Sequence, residues 1–161
     1  MPIGPGSTLP AVAVTGLDGR EVPLSRLAAG PVLLFVYKAD CPATAAAAPV
    51  VPRFAYLPGL GVAVVSQDDP EETRAFAAAS GWTGGVLLLR DAEPWPASDA
   101  LGVRATPTWF LVAPGGRVEM VAEGWNRDDA NALAATAGRL TGSPPVVVSR
   151  PDGSEPAWRP G

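Results

Sequence analysis

The sequence predicts a single α/β domain with a mixed β-sheet at its centre. In the first half of the chain, apolar strand patterns alternate with helix patterns; in the second half, two strand patterns flank a Pro-Gly-Gly turn. Strands joined by helices pair in parallel and strands joined by a tight turn pair antiparallel, so the sheet is mixed. A length of 161 residues fits one domain, and 47% apolar residues are enough for its core.

The N-terminal half is predicted to contain a hairpin, two buried strands and a proline-interrupted helix. The strand patterns lie at residues 10–14, 21–24, 31–37 and 61–66. Asp18-Gly19 is a turn pair typical of β-hairpins. The last two patterns are continuous apolar runs, as in strands buried on both faces. Residues 41–57 are alanine-rich and predicted to be helical, with Pro49 and Pro52 kinking or splitting the helix.

The C-terminal half is predicted to contain two capped helices, three strands and a proline-rich tail. Asp69 caps a helix that ends at Gly81, and Asn126 caps a last helix over residues 127–140. The strand patterns lie at residues 86–89, 108–112 and 117–122, with a helical turn at 98–101 and an edge strand at 146–148. We predict that residues 1–142 form the domain and that residues 143–161 are a proline-rich C-terminal extension of it.

Composition excludes several kinds of chemistry. The chain has no histidine and a single cysteine, which excludes a Ser-His-Asp or Cys-His mechanism, an internal disulfide and a cysteine-based zinc site. We predict no metal and no cofactor. The net charge of −4 and the lack of a basic patch argue against nucleic acid as a partner.

The sequence also lacks membrane and export signals. No apolar run reaches the roughly 18 residues that a transmembrane helix needs. The first six residues lack the basic and apolar segments of a signal peptide. We therefore expect a cytoplasmic protein without a membrane span, or an extracytoplasmic one if a leader has been removed.

Cys41 is the strongest candidate for reactivity. It follows a predicted buried strand and opens a predicted helix with Pro42. Free N–H groups and the positive end of the helix dipole favour a thiolate at such a position, and the thiolate is the nucleophilic form. Asp40 opposes ionisation by placing a negative charge next to the sulfur. The alternative is a small buried side chain without chemistry, since free cysteines are often buried.

Five segments follow one another in a recognisable order. They are residues 35–44 around Cys41, with Pro49 shortly after, then 64–71, 102–108, 115–118 and 124–125. Together they resemble the thioredoxin-like redoxins, most closely the alkyl hydroperoxide reductase and thiol-specific antioxidant group and the bacterial thiol–disulfide reductases. The resemblance extends from about residue 7 to residue 142.

The resemblance implies the thioredoxin fold, with a central mixed sheet, helices on both faces and an N-terminal β-hairpin. It implies that Thr106–Pro107 is a cis bond facing Cys41 and that the backbone of Thr106 pairs with an extended substrate. A rigid turn is the other role of this proline, and both can hold together. We predict Cys41 and Thr44 as catalytic residues, and Pro42, Thr106 and Pro107 as substrate-binding residues.

The sequence departs from the family pattern at the second cysteine, at two carboxylate positions and at the peroxiredoxin motif. Dithiol members carry a second cysteine where this chain has Thr44, so the chain cannot resolve a mixed disulfide by itself. Phe35 and Ala47 occupy positions where relatives carry carboxylates. The Pro-x-x-x-Thr/Ser-x-x-Cys motif of peroxiredoxins is absent, since Leu34 and Lys38 occupy its first two defined positions.

Two roles remain open for Thr44, one turn after Cys41. Its hydroxyl either donates to the Cys41 thiolate or bonds to the helix backbone. Two tryptophans in proline-rich segments, Trp95 and Trp158, are interpreted as packing on the surface, with covering of a groove as the alternative.

The favoured function is a thiol-based oxidoreductase with antioxidant or thiol–disulfide exchange activity. Its partners are a protein or small-molecule thiol or disulfide, or a peroxide, together with an external thiol reductant. The alternative is a binding or scaffold module that kept the fold and lost turnover. A resolving cysteine in a segment beyond residue 161 is a third alternative.

Overall fold

The computed structural model describes residues 2–161. Met1, the first residue of the N-terminal segment that lacks signal-peptide features, lies outside the described residues. The strands of the main sheet are β1 (Ala13–Gly16), β2 (Glu21–Pro23), β3 (Val32–Tyr37), β4 (Gly61–Ser66), β5 (Val86–Arg90), β6 (Thr108–Val112) and β7 (Val118–Glu123). Their order across the sheet is β2-β1-β5-β4-β3-β6-β7. The central strands β3, β4 and β5 are parallel, and β6 pairs antiparallel with β3. The sheet is therefore mixed, as predicted.

The central strand β3 places Cys41 at one edge of the sheet. All six of its residues are buried, as expected of a strand covered on both faces. In its register with β4, Val32 lies opposite Gly61 and Tyr37 lies opposite Ser66. Because Cys41 follows β3 after a short turn, it lies at the carboxyl edge of the sheet, near the end of β4.

Helices cover both faces of the sheet. They are α1 (Leu24–Leu27), α2 (Pro42–Ala47), α3 (Pro70–Ala79), α4 (Pro96–Ala100) and α5 (Arg127–Thr141), with a 3-10 helix at Val51–Tyr56. Phe35 and the other odd-numbered side chains of β3 face one core, which includes α2, α3 and α5. Leu34 and the other even-numbered side chains face a second core, which includes α1 and α4. This arrangement, with the hairpin of β1 and β2, confirms the predicted fold class.

The prolines split the predicted helix over residues 41–57. Pro52 has no N–H to donate to the carbonyl group of Ala48, one turn earlier. The indole N–H of Trp82 donates to that carbonyl oxygen instead, at 2.9 Å. The chain then continues as the 3-10 helix, so α2, the helix that follows Cys41, is only six residues long.

The predicted caps of the two longer helices are confirmed. The Asp69 side chain accepts a hydrogen bond from the Glu72 N–H at the start of α3. The Asn126 side chain accepts from two backbone N–H groups at the start of α5. The short helix α1 was not predicted. None of the helices described for residues 2–161 has the length and apolar character that crossing a bilayer requires.

The predicted edge strand at residues 146–148 is wrong. Its backbone groups bond to side chains instead of to a neighbouring strand: the Val148 and Ser149 N–H groups donate to Asn131 Oδ1, and Arg53 donates to the Val148 carbonyl oxygen. Strand pairing occurs further on, where β9 (Trp158–Arg159) pairs antiparallel with β8 (Trp125–Asn126).

An ion pair between half-exposed Arg53 and buried Glu155 anchors this tail to the domain. Arg53 Nη1 lies 2.6 Å from Glu155 Oε1, and the Glu155 side chain is fully buried. The Ser149 hydroxyl donates to the same carboxylate oxygen at 3.0 Å, and Arg127 donates to the Glu155 carbonyl oxygen at 2.8 Å. This anchoring supports our proposal that residues 143–161 are an extension of the domain formed by residues 1–142.

Candidate functional site

Cys41 occupies the position just before α2, with an extended backbone. Its side chain is partly exposed. Its Sγ donates a hydrogen bond to the carbonyl oxygen of Thr106, 3.0 Å away. This contact suits the thiol form, because a thiolate has no proton to donate and would face the negative end of the carbonyl dipole.

The loop opposite Cys41 contains the predicted cis bond. The Thr106–Pro107 peptide bond is cis, Thr106 is half-buried and Pro107 is buried. The Thr108 hydroxyl donates to the Ala105 carbonyl oxygen at 2.7 Å, and the Gly124 N–H donates to the Pro107 carbonyl oxygen at 2.7 Å. The expected proximity of this loop to the sulfur is confirmed.

The other predicted site residues lie on either side of this contact. Pro42 is exposed at the first position of α2. Thr44 is fully buried, and its hydroxyl has no hydrogen-bond partner among residues 2–161. The predicted bonds from Thr44 to the Cys41 sulfur or to the helix backbone are therefore both missing. Its O–H is a donor without an acceptor inside the core.

The positions of the missing carboxylates are apolar. The Phe35 ring centroid lies 4.5 Å from that of Trp109 and 5.7 Å from that of Tyr37. Ala47 is also fully buried. Neither position offers a group that could take the thiol proton.

Asp68, which the sequence analysis did not single out, fixes the loop before Cys41. Its buried carboxylate accepts a hydrogen bond from the Ala39 N–H at 2.8 Å. Its own N–H donates to the Ser66 hydroxyl at 3.0 Å. Asp68 thereby ties the loop after β3 to the end of β4. Its position just past β4, at the edge that carries Cys41, is the sequence signal that could have identified it.

Carboxylates dominate the electrostatics on this side of the molecule. The charge of Asp68, followed by smaller contributions that include Asp69 and Asp40, raises the pKa of Glu72. Burial, aided by nearby carboxylates, raises the pKa of Tyr37 to about 12. Tyr37 therefore keeps its proton near neutral pH and cannot act as a base there.

The match to a protein-family model decides the family. The model of the AhpC/TSA family matches residues 5–121, which is most of the chain. The chain belongs to the AhpC/TSA family. The predicted resemblance is thereby confirmed for this AhpC/TSA protein. A comparison with curated proteins found no match.

Solved structures confirm the fold of this AhpC/TSA protein. A protein described as the thiol:disulfide interchange protein DsbE from Chlorobium tepidum has a TM-score of 0.73 at 22% identity, over 86% of this chain and 99% of its own. A thiol:disulfide interchange protein from Bacteroides sp. has a TM-score of 0.71 at 18% identity, over 89% and 93% of the two chains. A secreted Mycobacterium tuberculosis disulfide oxidoreductase homologous to DsbE has a TM-score of 0.64 at 19% identity, over 82% and 96%.

Proposed function

We propose that this chain is a thiol-based oxidoreductase whose Cys41 exchanges with disulfides or reduces peroxides. The observation that carries the proposal is the partly exposed Cys41 sulfur, 3.0 Å from the carbonyl oxygen that precedes the cis-proline. Membership of the AhpC/TSA family supports a redox role. The structural neighbours described as thiol:disulfide interchange proteins support the disulfide branch.

The disulfide reaction needs two exchange steps. The Cys41 thiol first loses its proton to solvent, and the thiolate attacks one sulfur of the substrate disulfide. A bond forms between Cys41 and that sulfur, and the other sulfur leaves as a thiolate. An external thiolate then attacks the mixed disulfide on the substrate sulfur, which releases the Cys41 thiolate and leaves that substrate sulfur in a disulfide with the external thiol.

The peroxide reaction uses the same thiol. The Cys41 thiolate attacks one oxygen of the O–O bond, becomes a sulfenic acid and releases the other oxygen as an alkoxide or hydroxide that takes up a proton. One equivalent of external thiol condenses with the sulfenic acid to a mixed disulfide and water. A second external thiol then releases reduced Cys41.

Each predicted site residue has a role in this proposal. The backbone of Thr106 pairs with an extended substrate, and Pro107 sets the direction of that segment. Exposed Pro42 contacts the substrate beside the sulfur. The unpartnered Thr44 hydroxyl donates to the Cys41 thiolate once the thiol has lost its proton, which gives this buried O–H an acceptor.

A binding module without turnover is the second candidate. It is favoured by Thr44, which stands where a dithiol protein has its second cysteine. Such a module would bind extended chains at the cis-proline loop and leave the thiol unreacted.

The Thr44→Cys variant tests the proposed function. In an insulin reduction assay with dithiothreitol, the native chain should be much slower than a dithiol thioredoxin, because it cannot resolve its own mixed disulfide. Thr44→Cys should raise the rate about tenfold or more, since an intramolecular thiol has a much higher effective concentration than an added one. Cys41→Ser, in the native and in the Thr44→Cys background, is the control and should abolish the activity.

Peroxide treatment completes the test. Cys41 should yield a trappable sulfenic acid or a linked dimer, detected by mass spectrometry. If Thr44→Cys adds nothing and neither disulfide nor peroxide modifies Cys41 in the folded protein, the binding module replaces the enzyme as the conclusion.

A further inference from the structure

The last described residues of the chain run back to the candidate site. We call residues 157–161 the strap. The Arg127 N–H donates to the Ala157 carbonyl oxygen at 3.0 Å, which holds the start of the strap beside α5. Its β9 residues then pair with β8 and pack against α2, the helix that begins after Cys41. The strap thus crosses the surface between the active-site helix and the end of β7.

The strap ends in close contact with the cis-proline loop. A Cβ atom on Gly161 would lie 2.8 Å from the Thr106 carbonyl oxygen and 3.1 Å from the Ala105 Cβ. On the other side, a Cβ atom on Gly124 would lie 2.8 Å from the Gly161 nitrogen and 2.9 Å from the Arg159 carbonyl oxygen. The distances of 2.8 and 2.9 Å are shorter than real Cβ contacts, so the strap can pack this closely only because these two positions are glycine.

This contact occupies the group that an extended substrate would use. A peptide added as a strand bonds to the backbone on both sides of its path, and here that backbone is Thr106. Its carbonyl oxygen already accepts from the Cys41 thiol, and Gly161 lies so close to it that there is no room for a Cβ atom on the glycine. An extended chain therefore cannot align along Thr106 while the strap is in place. A small molecule needs no alignment along Thr106, and Cys41 is partly exposed.

The strap is attached through backbone contacts at the surface, whereas the tail that precedes it is anchored by a buried side chain. Glu155 is buried and bound to Arg53, and the Trp125 indole N–H donates to the Pro156 carbonyl oxygen at 2.6 Å. Every residue of the strap itself is exposed. Segments that bury few apolar contacts open at low free energy. The strap can therefore leave the site while the anchored tail stays in place.

We propose that the strap is an autoinhibitory cover, and that it must leave the Thr106 backbone before an extended disulfide substrate can react with Cys41. This inference rests on the proposed function. It adds selection by substrate shape: small disulfides react with the closed protein, whereas peptide disulfides react only with the open form.

The Gly161→Ala variant tests the cover. Its methyl group would lie 2.8 Å from the Thr106 carbonyl oxygen, so the last residue of the strap must shift away from the loop. Gly30→Ala is the matched control, because a Cβ atom there meets no atom within 4 Å. Each protein is reacted with 2,2′-dipyridyl disulfide and with an extended peptide whose single cysteine is disulfide-bonded to glutathione. Mass spectrometry follows the Cys41–peptide adduct, whose formation releases glutathione thiolate.

The cover predicts a change that is specific to the peptide. Gly161→Ala should form the peptide adduct about fivefold faster than the native chain, because a larger fraction of molecules is open, while its rate with the dipyridyl disulfide stays unchanged. Gly30→Ala should match the native chain with both probes. Equal peptide rates in all three proteins would overturn the cover and leave the proposed function intact. A Cys41 that reacts with neither probe until the chain is unfolded would overturn the proposed function itself.

Discussion

Thr44→Val should raise the stability of the fold and lower the reactivity of Cys41. The Thr44 side chain is fully buried, and its hydroxyl has no hydrogen-bond partner among residues 2–161. A buried polar group without a partner destabilises the fold by about 1–3 kcal/mol. Valine replaces the hydroxyl with a methyl group of similar size and keeps the branched β-carbon. We therefore expect Thr44→Val to be more stable than the native chain by about 1–2 kcal/mol.

Thr73→Val is the matched control for this substitution. Thr73 is also helical and fully buried, but its hydroxyl donates to the Ser66 hydroxyl at 2.7 Å. The same change there should destabilise the fold by about 1–2 kcal/mol, because the bond is lost and Ser66 loses a partner. Urea denaturation with the thiol kept reduced measures both, and thermal melting should shift by roughly 2–4 °C per kcal/mol in a chain of this size.

The two variants should change the free energy of unfolding in opposite directions, and this difference is the test. A destabilised Thr44→Val, equal to Thr73→Val, would refute the reasoning, since it would mean that the Thr44 hydroxyl is satisfied in the native state. The proposed role of Thr44 adds a second expectation. Thr44→Val should react more slowly with disulfides than the native chain, because the thiolate loses a donor, so stability and reactivity should change in opposite directions.

Two further predictions concern the tail and the split helix. Burial raises the pKa of the Glu155 carboxyl, but hydrogen bonds from Arg53 and Ser149 lower it more, so the pKa lies below the ordinary value of 4.5. The ion pair therefore stabilises the fold above pH 4.5, and this stabilisation is lost as the pH falls through the lowered pKa of Glu155. Urea denaturation from pH 7 to pH 3 should show this loss in the native chain and a weaker pH dependence of the free energy of unfolding in Glu155→Gln. The same pH dependence in both proteins would contradict the stabilising role of the Glu155 carboxylate. Trp82→Phe should destabilise the fold by about 1–3 kcal/mol, because the Ala48 carbonyl oxygen loses its donor; a melting temperature equal to that of the native chain would count against this role of the indole.

The sequence predicted the central elements because their local pattern and their tertiary environment agree. The continuous apolar runs of β3 and β4 are buried on both faces, so nearly every position in them favours an apolar residue. Asp69 and Asn126 mark helix starts because a cap is a local interaction within three residues. The cis bond at Thr106–Pro107 followed from the resemblance and not from local pattern.

The tail could not be predicted in this way because its conformation depends on distant side chains. The apolar residues 146–148 have the local pattern of a strand, but Asn131 on α5 binds the backbone groups that a strand would use. The strand β9, which pairs with β8, follows Glu155, and Glu155 binds Arg53, about a hundred residues earlier in the chain. Similarly, the contact between Cys41 and the Thr106 carbonyl oxygen joins two loops that no local rule connects.

One measurement tests the central claim, that Cys41 in the folded protein is a nucleophile released by an external thiol. The reduced protein is treated with glutathione disulfide and its intact mass is recorded before and after addition of dithiothreitol. We predict one glutathione adduct at Cys41 in the native chain, none in Cys41→Ser, and complete removal of the adduct by dithiothreitol. An unmodified folded protein, with modification only after unfolding in urea, would contradict the claim.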